Sequence, residues 1–280
     1  MVLLHCTREK PAHVQWIRGE CGFSATVSIA APAKVRVSSI YESRTVALGM
    51  IQKLRQIFTA LPGTAPARIP LGERVYAIGD IHGRLDLLEG IACAIEEDDA
   101  ARNAADTTII LLGDLIDRGP DSAKVIDMAR EWQERRRVRI LSGNHEEMFL
   151  LSFYRLAAFR NFVRIGGRET VLSYVDHAAF HAAGIEEAQQ LMIEAVPHED
   201  REFLHGFETM IRIGDYLFVH AGINPDLEIE HQQAADCRWI REPFLSHIGD
   251  FGCVVVHGHT VTGEADFRPN RIGIDTGAFM

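Results

Sequence analysis

The residues of this chain that could do chemistry stand in five short clusters, each directly after an apolar run. The clusters combine Asp, Asn or His with glycine, and they are Gly79–Gly83 (GDIHG), Gly113–Gly119 (GDLIDRG), Gly143–Glu146 (GNHE), His220–Gly222 (HAG) and His257–Thr260 (HGHT). Carboxylate, amide and imidazole groups bind divalent cations, and glycine lets the backbone approach a bound group closely. Together the clusters offer enough ligands for two metal ions.

Each cluster follows a segment that is typical of a buried strand. These segments are rich in Val, Ile and Leu and end at the polar cluster; they cover residues 74–78, 108–112, 138–142, 216–219 and 253–256. Sites in open α/β sheets lie at the carboxyl ends of the strands, so we expect the five clusters to converge. The alternation of strand and helix patterns from residue 70 onward predicts a parallel sheet core.

Two helices are predicted between the first three strands. Asp86 is positioned to cap the first, with Glu89 three residues further on. Apolar residues recur at helical spacing and should face the core. The residues expected on the two buried faces are Leu87, Leu88, Ile91, Ile95, Val125, Ile126, Ala129 and Trp132.

The chain divides into an extension, a connecting segment and a main domain. Residues 1–49 resemble nothing that follows, and we expect a poorly ordered extension or a start assigned too early, with Met50 as the true start. A small partner-binding arm is the alternative. Residues 50–69 predict a short helix and a linker, and residues 70–280 the main domain. Within it, residues 147–212 predict a helical insertion beside the site that influences substrate choice.

Composition excludes several classes of function. The chain has 280 residues, of which 47% are hydrophobic, and its net charge is −10. An acidic balance does not favour nucleic-acid binding, and no apolar stretch predicts a membrane span or a secretory signal. The five cysteines are scattered without a CxxC pair, which favours a reducing, cytoplasmic location.

The residue types suggest how two ions would be held. Asp114 lies in the cluster richest in acids and could bridge two ions, because a carboxylate has two oxygens. Asp80 and His82 could serve one ion together. The other expected ligands are Asn144, His220 and His259. A mixed oxygen and nitrogen set without cysteine favours Mn²⁺, with iron or zinc as alternatives.

Such a centre is suited to phosphate ester hydrolysis. Two ions about 3.5–4 Å apart lower the pKa of a bridging water and stabilise an in-line displacement. Arg118 could neutralise the phosphate, since a guanidinium binds phosphate oxygens bidentately. His145 is the candidate to protonate the leaving oxygen, and we expect Asp117 to orient it and raise its pKa.

The five clusters, in this order, resemble those of the calcineurin-like metallophosphoesterases. The phosphoprotein phosphatase branch is most similar, in particular its bacterial and phage-type serine/threonine phosphatases; symmetric diadenosine tetraphosphate hydrolases share the motifs. The resemblance spans nearly all of residues 74–280 and implies an α/β fold, a β-sandwich flanked by helices, with the helical insertion. Such proteins usually continue for one more strand after the segment matching 275–278, so we expect an unpaired sheet edge here.

The resemblance also implies a role for each residue. The first metal would be bound by Asp80, His82 and Asp114, and the second by Asp114, Asn144, His220 and His259. Asp117 and His145 would form the acid pair, and Arg118 would bind phosphate. Trp239-Ile240-Arg241 matches the spacing of a second phosphate arginine, which selects Arg241 over Arg238. His257 is left unassigned.

Three functions follow. The first is a serine/threonine protein phosphatase that hydrolyses phosphomonoesters by attack of a metal-bridging hydroxide. The alternative is a hydrolase of diadenosine tetraphosphate or capped RNA ends, for which aromatic residues of the insertion could stack on adenine, although core packing is the favoured use of Phe153, Tyr154, Phe159, Phe162 and Tyr174. A non-catalytic phosphoprotein-binding module is disfavoured by the complete ligand set and acid pair.

Overall fold

The computed structural model describes residues 67–280 and the backbone of four strands that precede them. These strands are β1 (Val2–Cys6), β2 (His13–Ile17), β3 (Ser24–Val27) and β4 (Val37–Ser38). They lie within the extension predicted over residues 1–49, whose boundary remains a prediction. The helix predicted after Met50 and the linker that runs to Pro66 lie outside the described residues.

Seven strands form the first sheet. Its order is β4-β3-β2-β1-β5-β6-β7, where β5 is Glu73–Ile78, β6 is Asp106–Leu111 and β7 is Val138–Ile140. The strands β5, β6 and β7 run parallel, which confirms the predicted parallel core. β1 pairs with β5 in the antiparallel direction and joins the four preceding strands to this sheet.

Five strands form the second sheet, in the order β11-β12-β10-β9-β8. They are β8 (Met210–Ile213), β9 (Tyr216–Val219), β10 (Val254–His257), β11 (Asp266–Phe267) and β12 (Arg271–Gly273). β10 runs parallel to both β9 and β12. β11 pairs with β12 in a hairpin and lies at one end of the sheet, so the unpaired edge expected after residues 275–278 stays a prediction.

Nine α-helices lie in the described part of the chain. The two between the parallel strands are α1 (Leu85–Ala100) and α2 (Ser122–Arg135). Six follow β7 and one precedes β10; they are α3 (Asn144–Ser152), α4 (Leu156–Phe162), α5 (Arg168–Leu172), α6 (His177–Ala182), α7 (Ile185–Ala195), α8 (His198–His205) and α9 (Ala234–Trp239). A π-helical turn, Val163–Gly167, joins α4 to α5. Among the described residues, no helix is both long and apolar enough to cross a membrane.

The predicted cap of α1 is wrong. The helix begins at Leu85, and the carbonyl of Arg84 accepts its first hydrogen bonds, from Leu87 and Leu88. The carboxylate of Asp86 instead pairs with the Arg84 guanidinium, at 2.8 Å from Nε. Because this ion pair occupies the carboxylate, Asp86 does not cap the helix. Its negative charge in the first turn instead interacts favourably with the helix dipole.

The core lies in three layers around the two sheets. Between the sheets, apolar side chains from both pack together, among them Ile110 of β6 and Phe218 of β9. The other face of the first sheet packs on α1 and α2 through the residues predicted for their buried faces, which are all buried. The outer face of the second sheet packs on α9 through Cys237. The fold is therefore a sandwich flanked by helices, as the resemblance implied.

The layer between the sheets should dominate stability. Replacing the fully buried Ile110 with Ala removes packing from both sheets, and we expect a loss of about 2–5 kcal/mol in the free energy of unfolding. Urea denaturation measures it. The same substitution at Ile248, which is 97% exposed, is the matched control and should change stability by less than about 0.5 kcal/mol. Equal losses at both positions would contradict this assignment of the core.

Candidate active site

The five polar clusters lie together at the carboxyl ends of the strands, as predicted. Backbone hydrogen bonds join the loops directly. Ile81 and His82 donate their N–H groups to the carbonyl of Asp114 at 3.0 and 2.9 Å, and Gly119 returns a hydrogen bond to His82 at 3.0 Å. On the second sheet, the N–H of Gly258 donates to the carbonyl of His220 at 2.8 Å.

The loops hold their polar residues in an unusual backbone conformation. Among the described residues, five that are not glycine have positive φ, and all five belong to the predicted site: His82, Asp114, Asp117, Arg118 and His259. Such a conformation is unfavourable for residues with a Cβ, and it persists where surrounding contacts enforce it. The folded structure therefore sustains a local energetic cost in order to aim these side chains.

The first predicted ligand set comes together between β5 and β6. The Nε2 atom of His82 lies 3.7 Å from Asp114 Oδ2 and 4.0 Å from Asp80 Oδ2. All three side chains are at most 3% exposed. His82 donates from Nδ1 to the carbonyl of Ile116 at 2.9 Å, so its Nε2 lone pair faces the two carboxylates.

The second predicted set lies on the other side of Asp114. The Nε2 atom of His220 is 3.5 Å from Asp114 Oδ1 and 3.1 Å from Asn144 Oδ1. Ligand atoms of Asp114, His220 and His259 all lie within 4.8 Å of one another. Asp114 thus presents one oxygen to each set, which is the arrangement expected of a bridging carboxylate.

The donor and acceptor pattern fits cations. His220 donates its Nδ1–H to the carbonyl of Leu112 at 2.8 Å, which leaves the Nε2 lone pair facing the amide oxygen of Asn144. Two acceptors at this distance repel each other unless a cation lies between them. The Nε2 atoms of His82 and His259 are also buried, and neither has a hydrogen-bond partner among the described residues.

The pKa shifts within the cluster also favour the binding of cations. Burial lowers the pKa of His220 to about 3 and that of His259 to about 2, so both imidazoles are neutral and able to bind metal. Burial also raises the pKa of Asp80 well above its usual range, with a further contribution from the charges of Asp275 and Asp114. Bound cations would relieve this repulsion between carboxylates.

Asp275 is a site residue that the sequence analysis missed. It is 2% exposed, its Oδ1 accepts the N–H of Gly277 at 2.9 Å, and its Oδ2 has no partner among the described residues. It follows β12 as the predicted ligands follow their strands, so the same strand-end pattern could have identified it.

Glu146 and Gly143 support the bridging residue. The buried carboxylate of Glu146 accepts the N–H groups of Gly143 at 2.8 Å, Asp114 at 3.0 Å and Leu115 at 2.8 Å. A Cβ at Gly143 would overlap Asp114 Oδ1, so only glycine permits the approach of these two loops. The loop that carries Asp114 is therefore clamped to the first turn of α3.

The predicted acid pair is assembled. His145 Nδ1 lies 2.5 Å from Asp117 Oδ2, and His145 Nε2 lies 3.2 Å from the Arg118 guanidinium. The expected rise in the pKa of His145 is wrong: burial lowers it, and the charge of Asp114 opposes that effect only in part. A lower pKa makes the protonated imidazole a stronger acid toward a leaving group.

The two predicted phosphate arginines border the same space. The half-buried Arg118 stacks its guanidinium over the ring of Phe279, 4.3 Å from the centroid. Burial raises the pKa of Asp114 and lowers that of His220; the positive charge of the exposed Arg241 opposes the first shift and adds to the second, so its guanidinium acts on the cluster. Arg238 pairs with Glu147 at 2.8 Å, and its charge also contributes to lowering the pKa of His220, so the choice of Arg241 stays a prediction.

Most of the aromatic residues considered for adenine stacking are packed inside the helical region. Phe153, Phe159 and Phe162 are at most 9% exposed, and Tyr174 is half-buried with its hydroxyl on Asp200. Tyr154 is 75% exposed. The sequence analysis did not consider Trp239 for stacking on a base. This residue is 42% exposed, and its Nε1–H donates to Glu147 at 2.5 Å.

The comparison with family models identifies the group to which this site belongs. Residues 73–273, more than half of the chain, match the model described as calcineurin-like phosphoesterase. The chain belongs to this family. The match covers all five clusters and shows that the chain is a hydrolase of the metallophosphoesterase type. The family uses a dinuclear metal centre, and the His and Asp groups around Asp114 could bind metal ions.

Individual proteins of known sequence or structure are also similar. An asymmetrical bis(5'-nucleosyl)-tetraphosphatase, PrpE, from Anoxybacillus flavithermus is 26% identical over 71% of this chain and 84% of its own length. A symmetrical bis(5'-nucleosyl)-tetraphosphatase from an Acidovorax species is 27% identical over 65% of this chain and 51% of its own length. The crystal structure of a candidate diadenosine tetraphosphatase matches the fold over 73% of this chain and 84% of its own, with 19% identity and a TM-score of 0.53.

The shared carboxylate should control the binding of both ions. We expect Asp114→Asn to reduce bound Mn²⁺ from about two ions per chain to one or none, because the amide offers a single neutral oxygen. Metal analysis by mass spectrometry after dialysis measures the ratio. Asp86→Asn, in the exposed first turn of α1, is the matched control and should retain both ions. Full occupancy in Asp114→Asn would contradict the bridging role.

Proposed function

We propose that this protein hydrolyses a phosphoanhydride bond of dinucleoside tetraphosphates, with two divalent ions and the side chains described above. The observation that carries the proposal is the set of metal-facing acceptors around Asp114, bordered by the positive charges of Arg118 and Arg241. The substrate class is supported by relatives in two genera that are named as nucleosyl tetraphosphatases. A tetraphosphate bridge carries several negative charges, which two cations and two guanidinium groups can neutralise.

Each group has a proposed role in the reaction. The first ion would be held by Asp80, His82 and Asp114, and the second by Asp114, Asn144, His220 and His259. When bound, Mn²⁺, or iron or zinc in its place, would supply Lewis-acid polarisation and a water of lowered pKa. Arg118 and Arg241 would orient the phosphate under attack. Asp117 would keep the His145 imidazole in one orientation, and His145 Nε2 would give a proton to the leaving oxygen.

A base would be bound outside the metal centre. Trp239 lies two residues before Arg241, and its indole is held at one edge by Glu147 while the ring remains partly exposed. Stacking of a base on an aromatic ring contributes about 1–3 kcal/mol. We propose that this ring binds one nucleobase of the substrate.

One observation favours a second candidate, a serine/threonine protein phosphatase. The acid pair of His145 and Asp117 suits a substrate whose leaving group is a strong base, such as the alkoxide of a serine side chain. A nucleotide leaves as a weaker base and needs this proton less. We propose a cytoplasmic location in either case, because the described cysteines, Cys93, Cys237 and Cys253, are all free thiols.

Direct comparison of two substrates tests the proposal. Mn²⁺-loaded protein should hydrolyse diadenosine tetraphosphate with a higher kcat/KM than a phosphoserine peptide. The products distinguish symmetric cleavage, to two ADP, from asymmetric cleavage to ATP and AMP. We expect His145→Asn to reduce peptide turnover by about 10²–10⁴-fold and dinucleotide turnover by much less.

The control for this substitution is His198→Asn, since His198 is an exposed residue of α8. It should leave both rates unchanged. Faster turnover of the peptide would favour the phosphatase, and failure of the loaded protein to hydrolyse either substrate would refute both candidates.

Trp239→Leu tests the base site. We expect KM for diadenosine tetraphosphate to rise about tenfold, the equivalent of a lost stacking contact, while kcat/KM for p-nitrophenyl phosphate stays within twofold because that substrate has no nucleobase. Tyr154→Leu, at an even more exposed aromatic residue of the helical region, is the control and should change neither value. An unchanged KM in Trp239→Leu would place the nucleobase elsewhere.

A further inference from the structure

The helical region between β7 and β8 contacts the acid pair directly, through α5. Thr170, in the middle of this helix, is fully buried, and its hydroxyl donates to Asp117 Oδ1 at 2.5 Å. The other oxygen of this carboxylate, Oδ2, faces His145 Nδ1. The Asp117 carboxylate is thus held from both sides, by a histidine of the GNHE cluster and by a threonine 53 positions away in sequence.

The hydroxyl of Thr170 has no freedom to rotate. The hydroxyl donates its single proton to Asp117 Oδ1, so its two lone pairs must accept the other hydrogen bonds that the oxygen makes. One comes from the N–H of Asp117 at 2.8 Å and the other from the Ser122 hydroxyl at 2.9 Å. Ser122 Oγ in turn accepts the same N–H of Asp117 at 3.1 Å. The one donor and both acceptor positions of the Thr170 hydroxyl are therefore occupied.

The same helical segment also holds the neighbouring arginine and the start of α2. The N–H of Arg118 donates to the carbonyl of Gly166 at 2.9 Å, and the N–H of Ala123 donates to Ser173 Oγ at 3.1 Å. Asp117 and Arg118 both have positive φ, so the loop needs external contacts to keep this conformation. These contacts come from residues 166–173.

We propose that Thr170 is a positioning residue of the reaction. It orients Asp117 so that Oδ2 accepts the Nδ1–H of His145, and the doubly protonated imidazole then gives its Nε2 proton to the leaving oxygen and is left as the Nδ1–H tautomer. This inference rests on the proposed role of the acid pair. Burial raises the pKa of Asp117 well above its usual range, and the hydrogen bond from Thr170 to Oδ1 opposes that rise.

The test compares two leaving groups in the Mn²⁺-loaded enzyme. Phenyl phosphate and p-nitrophenyl phosphate differ in the basicity of the oxygen that leaves, so only the first depends strongly on a proton donor. We expect Thr170→Val, which keeps the shape of the side chain and removes the hydroxyl, to lower kcat about tenfold for phenyl phosphate and less than about twofold for p-nitrophenyl phosphate. Thr170→Ser should restore the wild-type ratio.

The matched control is Ser173→Ala. Its hydroxyl lies three residues further along, accepts the N–H of Ala123 in α2 and donates to the backbone carbonyl of Thr170, and it does not hydrogen-bond to Asp117. It should keep the wild-type ratio of the two rates even if it lowers thermal stability. Equal loss for both substrates in Thr170→Val, or the same change of ratio in Ser173→Ala, would reduce Thr170 to a structural role and overturn the proposal.

A second readout does not need turnover. In Zn²⁺-loaded protein with ¹⁵N-labelled histidine, NMR reports the tautomer of His145, which is assigned by comparison with His145→Asn. The proposal predicts Nδ1–H in the wild type and Thr170→Ser, and a mixture of tautomers in Thr170→Val. An unchanged tautomer in Thr170→Val would refute it. If the wild type hydrolyses neither aryl phosphate, the proposed reaction fails on these substrates, and the tautomer alone decides the role of Thr170.

Discussion

The carboxylate of Asp114 is buried between two imidazoles whose lone pairs point at it, and the rest of the site depends on this arrangement. One oxygen faces His82 and the other faces His220. A buried cluster of acceptors and acids is unstable unless cations balance it. The fold therefore has to assemble groups that repel one another, and rigid loops on a large core make this possible.

The sandwich supplies that rigidity. The parallel strands of each sheet end beside one another, so loops that are far apart in sequence become neighbours through short backbone hydrogen bonds. Glu146 binds three N–H groups from two loops, and Gly143 allows their contact. The five residues with positive φ have strained backbone conformations, and the favourable packing of the rest of the fold compensates for this strain.

The sequence could predict the parts of the site that are local. Each cluster of ligands follows an apolar strand, so strand ends such as those before Asp80 and Asn144 were recognisable, and the convergence of the loops followed from sheet geometry. The supporting contacts were not predictable in this way. Thr170 contacts a residue 53 positions away, and nothing in a short polar helix marks that partner. The cap of α1 was misassigned because the pairing of Asp86 with Arg84 competes with capping.

The division of labour within the chain follows from these contacts. The proposed metal ligands lie in the strand-end loops and at the start of α3, α3 and α9 are joined through Glu147, and α5 contacts Asp117 of the acid pair. The helical region is joined to the loop that carries Asp117 and Arg118 through Thr170 and Gly166. Trp239, the ring proposed to bind a nucleobase, lies in α9 and outside this helical region.

The most direct test of this account is a crystal structure of the Mn²⁺-loaded protein with anomalous diffraction data. The account predicts two manganese peaks about 3.5–4 Å apart, with one oxygen of Asp114 on each ion or a single oxygen shared by both. His82 should bind one ion and His220 the other. A single peak, or two ions that do not share Asp114, would contradict it.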